Sequence, residues 1–357
     1  MDGFWPLLAL AAGLVLFIAY DYLVSSTGAK SKPAPETPRP EPPRTPARIP
    51  HPDEFLEAQE RKKRAFLSRE GYLSYTSLRA YLTCPHHYYL RHVRRIRIPA
   101  SPPQQVGKAV HAGIAYIHYC LLKAETLPSL QQVWRVYQKT LDKEAAAGGK
   151  PVNSYLHTTG KRILDAYLRT GTRHTRPREV EWGFRISADH LDLLGFIDLV
   201  TTDGKLVEYK TCFQQSPVLD QKIQDARPQL AAYTWAFRET TGEQERAVEV
   251  HFLLPSGVRS LPVLVTEAET REFRDTFAHA ARKIRAGQFE PSPGGQCRTC
   301  PYKAHCEHWT GGGTHDLQAP EPDPLRGRVP RSWGNPPVYI RHPGGPRSRP
   351  PSLPYPG

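Results

Sequence analysis

LLGFIDLVTTDGKLVEYKT, residues 193–211, is the stretch whose reading decides the fold. It reads as two strands around Thr202-Asp203-Gly204, a three-residue hairpin loop in which the glycine takes the left-handed conformation without steric cost. With that loop Thr201 faces Lys205, and Asp198 lies directly across from Glu208. Side chains alternate along a strand, so Lys210 shares the face of Glu208 while Tyr209 points the other way and packs. The residues around Asp198 are almost continuously apolar, as in a strand buried on both faces. A carboxylate in such a run is costly unless it is paired or coordinated. Two carboxylates about 5 Å apart repel unless a cation sits between them, and oxygen ligands favour Mg²⁺ or Mn²⁺. An isolated Glu-x-Lys is usually a solvated hairpin face; the apolar setting of Asp198 separates this one from that case.

Outward from the hairpin, strand patterns fall at residues 179–187, 193–201, 206–211 and 247–254. Helical periodicity covers 76–84, 106–123, 130–147, 154–170, 218–240 and 267–286, with a break or kink expected at Pro228. Helices on a small mixed sheet make an α/β sandwich. The chain divides into an apolar segment over 1–24, a Pro-rich charged tether over 25–70 containing an exposed helix from residue 53 to 67, a folded domain over 71–310, and a tail over 311–357. That tail is rich in Gly, Pro and Arg and is expected to be disordered. Residues 4–20 are nearly uninterrupted apolar sequence and, with Leu23 and Val24, approach the roughly 20 needed to cross a bilayer. Only Asp2 precedes them, no clear cleavage site follows, and Lys30, Lys32, Arg39, Arg44 and Arg48 come after. A single-pass membrane anchor is expected rather than a cleaved signal, with the C-terminal body in the cytoplasm.

Of six cysteines, Cys297-x2-Cys300-x5-Cys306 lies in a Gly/Pro-rich stretch, and Cys84 ends a helix far upstream. In a reducing compartment such spacing indicates a metal or redox site rather than disulfides. Four thiolates suit zinc or an iron-sulfur cluster, and ligand identity does not separate the two. Joining Cys84 to the C-terminal trio closes a long loop, a structural clasp. Cys120 and Cys212 lack such spacing and are expected to be buried apolar residues. The formal net charge is +13, and most of the excess lies in the folded domain, which suits a polyanionic partner. Arg79, Arg91, Arg94, Arg95 and Arg97 interleave with Tyr81, Tyr88 and Tyr89, an arrangement for gripping phosphates and stacking bases, unless the tyrosines belong to the core.

Gly107-Lys108-Ala109-Val110-His111, Gly195-Phe196-Ile197-Asp198, Glu208-Tyr209-Lys210-Thr211, Gln229-Leu230-Ala231-Ala232-Tyr233 and the cysteine cluster occur in one order over about residues 72–310. In these motifs the chain resembles the PD-(D/E)xK nuclease superfamily, and within it the RecB-like and CRISPR-associated exonucleases that carry an iron-sulfur cluster. The resemblance implies a restriction-endonuclease-like core of helix, three-stranded meander, helix and strand, here with a helical insertion. It implies that His111 joins Asp198 and Glu208 around Mg²⁺ or Mn²⁺, that the Tyr209 carbonyl touches the metal, and that Lys210 is the catalytic lysine. Gln229 and Tyr233, four apart on one helix face, would contact that lysine or the nucleic acid. It also implies a 4Fe-4S cluster on Cys84, Cys297, Cys300 and Cys306, with zinc as the alternative. The expected activity is a membrane-tethered, metal-dependent DNA exonuclease acting on single strands or free ends. The competing expectation is a non-catalytic nucleic-acid-binding scaffold of the same fold.

Overall fold

The computed structural model describes residues 48–68, 71–172, 175–188, 191–213 and 219–309. The apolar segment over 4–20, most of the tether and the tail lie outside the described residues. Among the described residues no helix is long and apolar enough to cross a membrane.

Eight α-helices and six strands run in the order α1 (Pro52–Leu67), β1 (Tyr72–Ser74), α2 (Tyr75–Thr83), α3 (Pro85–Tyr88), α4 (Pro102–Ala124), α5 (Leu130–Ala146), α6 (Ser154–Ala166), β2 (Pro177–Ala188), β3 (Leu191–Thr201), β4 (Lys205–Thr211), α7 (Leu219–Thr241), β5 (Ala247–Leu254), β6 (Gly257–Pro262) and α8 (Glu267–Arg285), counting only described residues. The strands form one mixed sheet centred on β3. β2 pairs antiparallel along one whole edge of β3, from Ala188↔Leu191 to Pro177↔Thr201. The other edge of β3 is therefore shared: β1 takes its start in parallel (Tyr72↔Asp192 to Ser74↔Leu194) and β4 takes its end (Leu199↔Val207, Val200↔Leu206). β4 then pairs in parallel with β5, and β5 antiparallel with β6. The expected order of helix, meander, helix and strand is thus α4, β2–β3–β4, α7 and β5, inside an α/β fold with a mixed sheet.

The β3–β4 turn follows local chemistry. Gly204 sits at φ 80, its amide donates to the Thr201 carbonyl at 3.0 Å, and the Lys205 amide donates to Thr201 Oγ1 at 2.9 Å. Helices cover both faces. Leu230 and Phe237 of α7, Phe273 and Phe277 of α8 and Leu78 of α2 pack on Ile197, Val200, Leu206 and Phe252. Val110, Ile114 and Ile117 of α4, with Val136 and Tyr137 of α5 and Ile163 and Leu164 of α6, pack on Val180, Leu199, Val207 and Tyr209.

Four expectations change. The helix around Asp53 is not a loose part of the tether: Phe55 is 1% exposed and its ring meets those of Tyr116 and Tyr119 at 5.3 Å each. α7 continues through Pro228 because residues on both sides, Asp225 and Ala226 before it and Leu230 and Ala231 after it, are buried; tertiary packing outweighs the missing rung. The helix expected over 154–170 ends at Ala166 and gives way to a π turn over Tyr167–Gly171. β1 and β6 add two strands that are too short or too exposed to show alternation.

Close helix packing makes a stability test. A Cβ on Gly160 of α6 would fall 2.5 Å from Tyr137 Oη and 2.8 Å from Val106 Cγ1. Both neighbours are buried against other helices, so Gly160→Ala is expected to lose about 1–3 kcal/mol through overpacking, read as a lower denaturation midpoint at unchanged slope.

Candidate active site

β4 leaves β3 beyond the Leu199↔Val207 pair, and the site forms in that fork. Asp198 follows at the register position opposite Glu208. Its Oδ2 accepts the Tyr209 amide at 2.8 Å, so a side chain occupies the donor that a continued ladder would have used. Alternation slips at the same place. Ile197 and Val200 face α7 whereas Leu199 faces α4, and on β2 Phe184 and Ile186 face α7 while Val180 faces α4. Glu181, at the slip on β2, holds φ 49. Side chains from both faces of the sheet can therefore converge at the fork.

From α4, His111 Nδ1 lies 3.5 Å from Asp198 Oδ1. Burial opposes charge on the imidazole, but the Asp198 carboxylate outweighs it and raises the His111 pKa. Burial would likewise raise Asp198; His111 and the Tyr209 amide reverse that and hold the carboxyl below its ordinary range. Glu208, 5% exposed, accepts Lys210 Nζ at 2.6 Å and Gln229 Nε2 at 3.0 Å. Burial raises its pKa, and the nearby Asp198 charge adds to this against the pull of Lys210. Gln229 turns its Oε1 to Lys210 Nζ at 2.8 Å and its Nε2 to Tyr233 Oη at 2.7 Å. One amide thereby orients lysine, carboxylate and phenol together.

Tyr209 points to the α4 side of the sheet, away from Glu208 and Lys210, with its ring 6.2 Å from that of His111. Its phenol lies 2.9 Å from Tyr167 Oη and 3.0 Å from His118 Nε2, and Tyr167 Oη lies 2.6 Å from the same nitrogen. His118 is two turns along α4 from His111, so this buried polar knot fixes β4 against the helix that carries the imidazole. Neither Tyr167 nor His118 stood out in the sequence, because a buried aromatic and a helix histidine look like ordinary core. The Tyr209 amide joins the site through Asp198 Oδ2.

The donor set suits a hard divalent cation: two carboxylates, Asp198 held below its ordinary range and Glu208 raised by burial, and an imidazole. The three side chains are not drawn into one shell. Among the described residues the group of three ligating side chains with donor atoms within 4.8 Å of one another is His86, Glu307 and His308; Glu208 is instead held toward Lys210 and Gln229.

The cysteine trio and Cys84 come near one another. All four are free and partly exposed, and the Cys300 thiol, raised by burial, also feels Cys84, Cys297 and Cys306. Tyr81 Oη donates to the Gln288 carbonyl at 2.8 Å, Tyr302 Oη to that of Ile96 at 3.2 Å, and the Ser292 amide to Cys84 Sγ at 3.4 Å. Cys120 and Cys212 are buried, as expected. The tyrosines of the basic stretch do not wait for bases. Tyr81 and Tyr88 are in the core, Tyr88 stacks on His92 at 4.6 Å, and Tyr89 packs on Phe289 at 5.5 Å. Arg94, Arg95 and Arg97 are left exposed.

A family model described as the PD-(D/E)XK nuclease superfamily matches residues 72–307. The fold is similar to the crystal structure of a candidate exonuclease from Eubacterium rectale, at 12% identity and a TM-score of 0.47, covering 67% of this chain and 90% of that one. It is also similar to the crystal structure of SSO0001, at 14% identity and a TM-score of 0.34, covering 72% and 96%. No functionally curated protein matches the chain. The match over residues 72–307 takes in the fork, its imidazole, its lysine and the cysteines, and the chain belongs to the PD-(D/E)XK nuclease superfamily.

Proposed function

We propose that this protein is a metal-dependent DNA exonuclease, held to a membrane by residues 4–20 with its catalytic body in the cytoplasm, and stapled by a 4Fe-4S cluster. The observation that carries the hydrolytic reading is the fork itself: Asp198 between His111 and the Tyr209 amide, facing a Glu208–Lys210–Gln229 network. Asp198, Glu208 and His111 would hold Mg²⁺ or Mn²⁺, which polarises a phosphodiester and lowers the pKa of water. Lys210, kept in place by Gln229, orients the attacking water or offsets charge on the phosphoryl oxygens. Tyr233, 6% exposed, holds Gln229 from behind rather than meeting the substrate directly.

For the cluster, four free thiols from the two ends of the folded domain suit iron-sulfur or zinc, and the resemblance to the iron-sulfur exonucleases favours iron-sulfur. The anchor rests on the apolar run and the cationic residues after it.

One preparation tests these claims. Carbonate-washed membranes carrying the full chain are expected to degrade end-labelled single-stranded DNA with Mn²⁺ or Mg²⁺, and to stop with chelator. Activity found only in the soluble fraction removes the anchor. Gel-shift binding without cleavage across a divalent-metal series favours the scaffold instead.

A further inference from the structure

Helix α1 (Pro52–Leu67) precedes the family-matched residues 72–307, yet it forms a wall of the fork. Phe55 fixes one end in the core through Tyr116 and Tyr119. Phe66 fixes the other, its ring 5.2 Å from that of Phe196, two residues before Asp198. Between these anchors Lys62 Nζ donates to the Val180 carbonyl at 3.1 Å. Lys63 Nζ lies 3.0 Å from Glu181 Oε2 and 5.8 Å from the Phe196 ring centroid. Consecutive lysines thus grip the strand slip opposite Asp198.

Register makes the position specific. Val180↔Leu199 and Trp182↔Ile197 leave Glu181 across from Asp198, as Glu208 is on the other side, so three acidic residues cross the sheet in one row. Glu181 keeps a left-handed φ of 49, a strained conformation for a residue with a side chain and one that the surrounding structure has to hold. Its charge reaches His111, and that of Asp198 reaches Lys63. A phosphodiester entering a row of three carboxylates needs cations beyond one metal. Lys210 is committed to Glu208 and Gln229 on one flank. Lys63 stands on the other and is the more open of the two, its side chain 41% exposed against 31%. Its ammonium is a flexible point charge of the kind that binds phosphate.

We propose that Lys63 is a substrate-binding residue, holding a backbone phosphate of the nucleic acid beside the position flanked by Asp198 and Glu208, and that Glu181 positions it. The proposal rests on the nuclease reading and adds an element that the family match does not contain.

The full-length protein in detergent micelles is assayed as Lys63→Met, which keeps the aliphatic stem against Phe196. Binding of a single-stranded oligonucleotide, with divalent metal omitted, is expected to weaken about tenfold at low salt. The magnitude of its log–log salt slope falls by about 0.7, the share of one phosphate contact on a single strand. With Mn²⁺, KM rises about tenfold while kcat stays within about twofold, and Lys63→Arg recovers most of the loss. Glu181→Gln raises KM in the same direction and leaves the salt slope unchanged. An unchanged slope and KM in Lys63→Met overturns the proposal; so does a raised KM that accompanies a lowered Tm with an unchanged slope, which marks a packing role. If the wild-type protein binds DNA but never cleaves it, the nuclease reading falls while the slope comparison still decides Lys63. Wild-type protein that does neither overturns both.

Discussion

Lys210→Met is expected to lower kcat by about 10²–10³-fold, the usual cost of removing one preorganised electrostatic donor from a transition state. Substrate affinity changes far less, because Lys210 is tied to Glu208 and Gln229 rather than turned outward. The variant also leaves Glu208 buried without its cation. Removing one partner of a buried pair costs about 3–5 kcal/mol at the upper end, reduced here because the lysine side chain is 31% exposed. Burial and Asp198 already raise the Glu208 pKa, and the substitution raises it further. The sign follows from linkage: an acid whose folded pKa is raised destabilises only above its unfolded pKa, increasingly as pH climbs to the folded value. The Tm deficit of Lys210→Met should therefore be full near neutrality and vanish on acidification toward the ordinary glutamate range. Mn²⁺ should restore stability at neutral pH, by about 2.7 kcal/mol at a hundredfold excess over its Kd, and raise Tm accordingly. Single-turnover kinetics and melting curves read these effects. Near-wild-type turnover in Lys210→Met removes the lysine from the chemistry.

Cys84→Ala is expected to give the largest loss of stability. Cys84 lies between α2 and α3 and the cysteine trio follows α8, so a shared cluster would close almost the entire folded chain into a loop. Chain-entropy estimates for such a cross-link are on the order of 5 kcal/mol. The Tyr81–Gln288 and Tyr302–Ile96 hydrogen bonds hold the same ends together, and neutral hydrogen bonds contribute only about 1 kcal/mol each. The variant should lose broad visible absorption together with several kcal/mol of stability. Cys212→Ala, buried and outside the quartet, should keep the colour. A Cys84→Ala protein that stays coloured and unfolds at the wild-type denaturant concentration excludes Cys84 as a ligand.

What was legible divides along the range of the interactions involved. The hairpin register was readable because a glycine-closed turn fixes it within a few residues. Gly204, Thr201 and Lys205 make that turn as expected, and the pair Leu199↔Val207 carries the register toward Asp198 and Glu208. The grouping of Lys210 with Glu208 follows from two-residue alternation, and the shared face of Gln229 and Tyr233 follows from helical spacing. Phe55 was not legible as core, since one aromatic in a charged helix carries no periodic signal. Lys63 and Glu181 were not legible either. They belong to different elements, and the slip that makes them neighbours appears only when β2 and β3 pair. Tyr81 and Tyr88 were ambiguous for the same reason, because Phe289, which covers Tyr88, lies about two hundred residues downstream.

By itself the sequence determined which side chains the β3–β4 hairpin carries, their order along it, and the helix faces that bear His111 and Gln229, because backbone geometry repeats over two residues in a strand and about 3.6 in a helix. Only the tertiary structure decided where β4 parts from β3, which opposite faces of the sheet supply His111 and Gln229 to that fork, and that α1 stands beside it with Lys63. Those relations depend on how helices pack across a twisted, irregular sheet, and packing energy is a property of surfaces brought together from distant parts of the chain.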